Sequence, residues 1–144
     1  MVNVISKAGG LASLALIVFL AVTPTFAQNT GMRMDIPVSF LAGDQTLPAG
    51  SYVVRIDERF RLMQIEGWNV STTVRLAAKS TPRPNAHVER GAILFEKYGD
   101  VYVLRNAFRH DESLGWAVPQ SQREVELAKV HPVRETALVA ARNR

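Results

Sequence analysis

Between Met32 and Phe40 every second residue is apolar: Met32, Met34, Ile36, Val38 and Phe40 alternate with Arg33, Asp35, Pro37 and Ser39. A period of two puts the apolar side chains on one face of an extended strand, whereas a helix needs a period near 3.6. The alternation returns at Val70, Thr72, Val74, Leu76 and Ala78, set against Ser71, Thr73, Arg75, Ala77 and Lys79. Strands of this kind bury one face and wet the other, as antiparallel sheets do. The 144 residues include no cysteine, so a packed core and not a disulfide must carry stability. That absence also excludes thiolate metal sites, cysteine nucleophiles and a lipidated N-terminal cysteine.

Shorter patterns fill the space between these stretches. Pro37 removes an amide donor, which predicts an edge strand or a bulge. Residues 42–50, AGDQTLPAG, must turn, and Pro48 in Leu47-Pro48-Ala49-Gly50 suits a type I turn. Residues 51–57 form a second strand with Tyr52, Val54 and Ile56 on one face. Asp57-Glu58-Arg59 then turns the chain into a third strand, 60–66, ended by Gly67. Residues 79–91, with two prolines within three positions, predict a loop with little room for a strand. Ala92–Tyr98 and Val101–Phe108 make the last hairpin, and Gly99 at its first central position suits a type II′ turn. The expected fold is mainly β, a six-stranded antiparallel meander forming a small barrel or a sandwich.

The period changes after residue 120. Ser121-x-x-Glu124 is a capping box preceded by Pro119, and Val125, Leu127, Ala128 and Val130 give a partly apolar helix. Pro132 interrupts it. Residues 133–142 predict a second helical stretch, with Val133, Ala137, Leu138 and Ala141 at helical spacing and Arg142 and Arg144 at its end. Its thin apolar face leaves a docking helix and a frayed tail both open.

The N-terminus reads as an export signal. Lys7 supplies a positive start, residues 11–22 are almost wholly apolar, Pro24 breaks the helix, and Thr25-Phe26-Ala27 fits a small-x-small cleavage site. The apolar run is short for a bilayer span of about 20 residues. The expected organisation is a signal peptide at 1–27, an antiparallel β domain at 28–120 and a C-terminal helical segment at 121–144. With no paired arginines in the leader, the general secretory route is expected, to a periplasmic or extracellular destination with no membrane span left after cleavage. Formal net charge is +4, and the charges are mixed along the chain and not gathered into a stripe. That distribution argues against a nucleic-acid partner. A secreted chain without cysteine points to a bacterial envelope, where the sequon at Asn69 has no meaning.

The stretches MDIPVSFLAGDQTLPAGSYVVRI, ILFEKYGDVYVLRNAF and GWAVPQSQREVELAK together resemble an uncharacterised family of small exported, β-rich bacterial proteins common in acidobacterial-type genomes. The positions that carry the resemblance are Ile36-Pro37-Val38, Gly43, Leu47-Pro48-Ala49-Gly50 with Tyr52, then Phe95, Tyr98-Gly99-Asp100 and Tyr102, then Val118-Pro119, Ser121 and Glu124. Val38 stands where the family has an aromatic, and Val118 where it has leucine. The resemblance covers most of residues 32–130 and implies fold, export and a bacterial source. It implies no substrate, since its motifs are turn and strand residues.

No catalytic constellation is visible. His110-Asp111-Glu112 is the one cluster of potential metal ligands, and a solvated loop is its ordinary reading; His87 and His131 lie far from it in sequence. Asp57-Glu58 falls where a hairpin turn expects charge. There is no Gly-x-Ser-x-Gly elbow and no phosphate loop. No cofactor, metal or enzymatic activity is therefore expected. The aromatic residues Trp68, Tyr98, Tyr102, Phe108 and Trp116 are the candidate partner or ligand surface, while Phe95 and the two tyrosines also suit a β core. The leading expectation is an envelope structural or protein-interaction module. The alternative is a barrel binding a small apolar ligand or a glycan.

Overall fold

The computed structural model describes residues 31–83, 90–110, 112–132 and 134–140. Two antiparallel-dominated sheets and one short helix account for the architecture. The first sheet has four strands in the order β1 (Met32–Ile36), β4 (Gly50–Asp57), β5 (Leu62–Gly67), β6 (Thr73–Ala77). The second has seven: β11 (Arg134–Ala140), β8 (Ala92–Tyr98), β9 (Val101–Phe108), β10 (Leu114–Ala117) and β7 (Lys79–Pro82) in that order, joined by the short hairpin β2 (Phe40–Ala42) and β3 (Gln45–Leu47). β2 lies parallel to the start of β9, on the edge that β10 covers further along. Neither sheet closes on itself.

The mainly β expectation holds, but six strands become eleven among the described residues. The long first strand divides at Pro37. Its missing amide ends pairing with β4 at Ile36, and the chain crosses to the second sheet at Phe40. Alternation survives the crossing, because Met34, Ile36 and Phe40 all enter the same core. The fourth expected strand also divides, β6 running on through buried Ala78 into β7. β7 occupies part of the segment expected to be a loop. Pro82 is tolerated because it ends an edge strand whose other side carries no ladder.

The largest correction concerns the tail. Residues 134–140 are a strand, not a second helix, and every one of them pairs with β8. Ala137 lies opposite Phe95 and Val139 opposite Ile93, and both pack on the core. The segment is apolar at both helical and strand spacing, so local pattern does not decide between them. The open edge of β8 does, by supplying a full ladder of partners.

One core lies between the sheets. Met34, Tyr52, Ile56, Met63 and Ile65 from the first meet Phe40, Phe95, Leu104, Ala107 and Trp116 from the second. Phe40 sits edge-on to both Tyr52 and Phe95, with ring centroids 5.4 Å apart in each case. The β8–β9 turn has Gly99 at φ +60° and no positive φ at Asp100, as a type II′ turn requires.

Candidate interaction surface

Helix α1 (Gln122–Val130) begins as the capping box predicts, the Ser121 hydroxyl accepting from the Glu124 amide at 3.2 Å. The reciprocal half is diverted. The Glu124 side chain, 2% exposed, turns into the protein and ion-pairs with Arg105 of β9. Arg105 also reaches Glu96 Oε2 at 3.2 Å and donates to the Val118 carbonyl at 2.9 Å. The Tyr98 hydroxyl lies 2.9 Å from Glu124 Oε1 and 3.0 Å from Glu96 Oε2, sharing its one proton between them. Two carboxylates, a guanidinium and a phenol are thus spent on fixing α1 to the second sheet. Leu127 and Ala128 complete the contact on Leu41, Tyr98 and Val103, and the Arg123 amide donates to Asp44 in the β2–β3 turn at 3.2 Å.

A second set of charges ties loops together at the opposite end of β9. Arg109 pairs with Glu58 of the β4–β5 turn and with Glu112, the latter at 2.9 Å. Burial alone would lower the Arg109 guanidinium; its hydrogen bonds to Glu112 and Glu58 and their charges outweigh that and raise it. Arg83 donates to the carbonyls of Arg109, Glu112 and Arg90 and lies 5.8 Å from the Phe108 ring centroid.

The five aromatic residues expected to form one surface are dispersed. Trp68 stands in the β5–β6 loop, more than half exposed, under the Arg33 guanidinium at 4.3 Å. Tyr98 is buried in the Glu124 network. Tyr102 is half-buried, edge-on to Phe95 at 6.5 Å, with the Lys97 ammonium 5.5 Å from its ring. Phe108 is buried against Gly115, whose Cβ would collide with its ring. Trp116 belongs to the core, with one edge on a shallow cleft of about 380 Å³ that Glu58, Glu112 and Leu114 also line. Phe95 is fully buried, as its core reading requires.

His110 is exposed and Glu112 is committed to Arg109, while Asp111, His87 and residues 1–30 lie outside the described residues. The described residues contain no group of three or more His, Asp or Glu arranged to hold a metal ion. No described helix is long and apolar enough to cross a membrane.

The hairpin expected at Asp57-Glu58-Arg59 is present, but its turn runs on to Arg61, so Phe60 belongs to the turn and not to the third strand. Phe60 is 65% exposed, Leu62 and Leu114 are exposed nearby, and Arg59 and Arg61 flank the phenylalanine. The signal present was the run Arg59-Phe60-Arg61-Leu62, which sets apolar residues between cations at a turn. A second cleft of about 270 Å³, lined by Arg55, Asp57, Phe60, Leu62, Gln64 and Arg75, opens on the outer face of the first sheet. No family model, curated protein or solved structure matches this chain.

Proposed function

We propose that the chain is an exported structural or protein-interaction module of a bacterial envelope, acting through its surface and not through a cavity. The observation that carries this reading is the filled interior. Phe40, Tyr52 and Phe95 occupy the centre in edge-to-face contact, and the buried Glu124 is spent on holding α1. Chemistry available to a partner therefore lies outside, on the edge strands β6 and β11 and on the exposed apolar side chains. The leader-like residues 1–27 and the resemblance to small exported bacterial proteins support export by the general secretory route, to periplasm or beyond. We read the two sheets as a flattened, unclosed barrel, with β1 alongside β11 at one seam and β6 running into β7 at the other. The alternative, a barrel for an apolar ligand or glycan, needs room that these aromatic side chains fill.

The test is the native size of residues 28–144 in envelope extract of the host, followed by antibody after size-exclusion chromatography and cross-linking. Elution well above the size of a 117-residue chain, with a reproducible cross-linked partner, is expected. Elution as a free monomer without cross-links overturns the reading.

A further inference from the structure

We infer that the tip of the β4–β5 hairpin docks on the surface of an anionic phospholipid bilayer. Residues 58–62 are all exposed, so every side chain of the turn is open to solvent. Its sequence from 59 is Arg-Phe-Arg-Leu. Phe60, 65% exposed, contributes nothing to the core, and the Arg59 guanidinium lies 5.5 Å from its ring centroid. An exposed ring flanked by guanidinium groups matches a lipid interface in both respects. The ring enters the acyl boundary and the cations meet headgroup phosphates. The cleft beside Phe60 offers an apolar side chain of a peptide or folded partner little, since Arg55, Asp57, Gln64 and Arg75 make up most of its lining.

The charges at this end sharpen the match. Asp57 accepts the Phe60 amide at 3.1 Å, Glu58 is paired with Arg109, and Glu66 with Arg55. Arg59, Arg61 and Arg75 have no ion pair among the described residues, and Arg75 lines the same cleft as Phe60. Arg61 is the most telling of the three. Its φ is +52°, in the left-handed region that favours glycine or asparagine. The turn uses only its backbone, whose carbonyl accepts from the Ala78 amide at 2.9 Å, and any residue supplies that. The chain therefore places a cation where folding alone prefers glycine. This inference goes beyond the interaction-module reading and needs no partner protein.

Co-sedimentation tests it, using residues 28–144, which hold every element of both sheets and the helix. The probes are vesicles of phosphatidylglycerol and phosphatidylcholine in equal parts, and of phosphatidylcholine alone. Binding is expected to the first only, and it should weaken steeply as salt rises. Arg61→Gly should weaken binding about fivefold while its thermal midpoint holds or rises, since glycine relieves the left-handed φ. A purely structural Arg61 would not separate the two readouts. Phe60→Ala should weaken binding too, and R59Q/R61G/R75Q should reduce it about a hundredfold. Because the chain has no cysteine, Phe60→Cys takes a single environment-sensitive dye, whose emission should shift to the blue on the anionic vesicles. The same dye on Val130→Cys, at the Gly99 end of the molecule, should not shift. Failure to bind, equal binding to phosphatidylcholine, or binding unchanged in both Arg61→Gly and Phe60→Ala overturns the inference.

Discussion

Replacing Glu124 by alanine removes the carboxylate that fastens α1 to the second sheet. Its side chain is 2% exposed and that of its partner Arg105 only 14%. Removing one member of a buried ion pair costs about 3–5 kcal/mol, because the other charge is left without compensation. Glu96 still contacts Arg105 and Tyr98, which sets the expectation at the lower end, about 3 kcal/mol. The Ser121 cap is unaffected, since it bonds the backbone amide of residue 124. At about 4 °C per kcal/mol for a domain of this size, the thermal midpoint should fall by about 12 °C. Urea denaturation followed by far-UV circular dichroism gives the free energy directly. The double variant Arg105→Met/Glu124→Leu removes this pair but leaves Glu96, 17% exposed, with only the Tyr98 hydroxyl, so it should cost less than the two single losses added together without returning to the parent. A loss below about 1 kcal/mol in Glu124→Ala, or a double variant as unstable as the sum of the singles, would refute the reasoning. The pair would then be an ornament of the fold and not its fastening.

Four further outcomes follow from the packing. Burial pushes the Tyr52 hydroxyl above its ordinary 10.0, so the neutral form is favoured in the folded protein. That stabilisation is complete below pH 10 and is lost as pH rises from there toward the folded value; Tyr52→Phe should flatten this part of a plot of thermal midpoint against pH. Gly67→Ala should destabilise by about 1–3 kcal/mol in chemical denaturation, because its Cβ would run into the Val70 carbonyl. Arg61→Gly should stabilise by about 0.5–1 kcal/mol in the same assay. Deleting residues 134–144 should bare the β8 edge and produce aggregates visible by light scattering, where the helix expectation for this segment predicts a soluble monomer.

Much of the β framework was legible in the sequence because it rests on local signals. Gly99-Asp100 between two apolar runs located β8 and β9 with their observed bounds, and Ser121-x-x-Glu124 located the start of α1. What escaped depends on partners distant in the chain. β11 exists because β8 has an open edge, and residues 134–140 bear no mark that distinguishes a strand from a helix. β7 is a strand because β10 comes to lie beside Lys79–Pro82, despite the proline. The capping box announced a helix start but not that the Glu124 side chain would forgo the Ser121 amide to seek Arg105. The candidate aromatic surface failed for a similar reason. Burial in a two-sheet fold is decided by which face meets the opposite sheet, so Phe108 and Trp116 went inward while Phe60, read as the start of a strand, went out.

The pairing of β11 with β8 has a consequence for how this protein is made. The first and the last strand among the described residues lie side by side, β1 alongside β11. Residue 140 must therefore leave the ribosome before the second sheet has its outer strand or the seam its second lip. Until then every nascent chain displays the bare edge of β8, and long-range pairing of this kind is slow to form. Such a chain cannot complete its second sheet before residue 140 is made. Strand β11 acts as a clasp that fastens only once residue 140 is free.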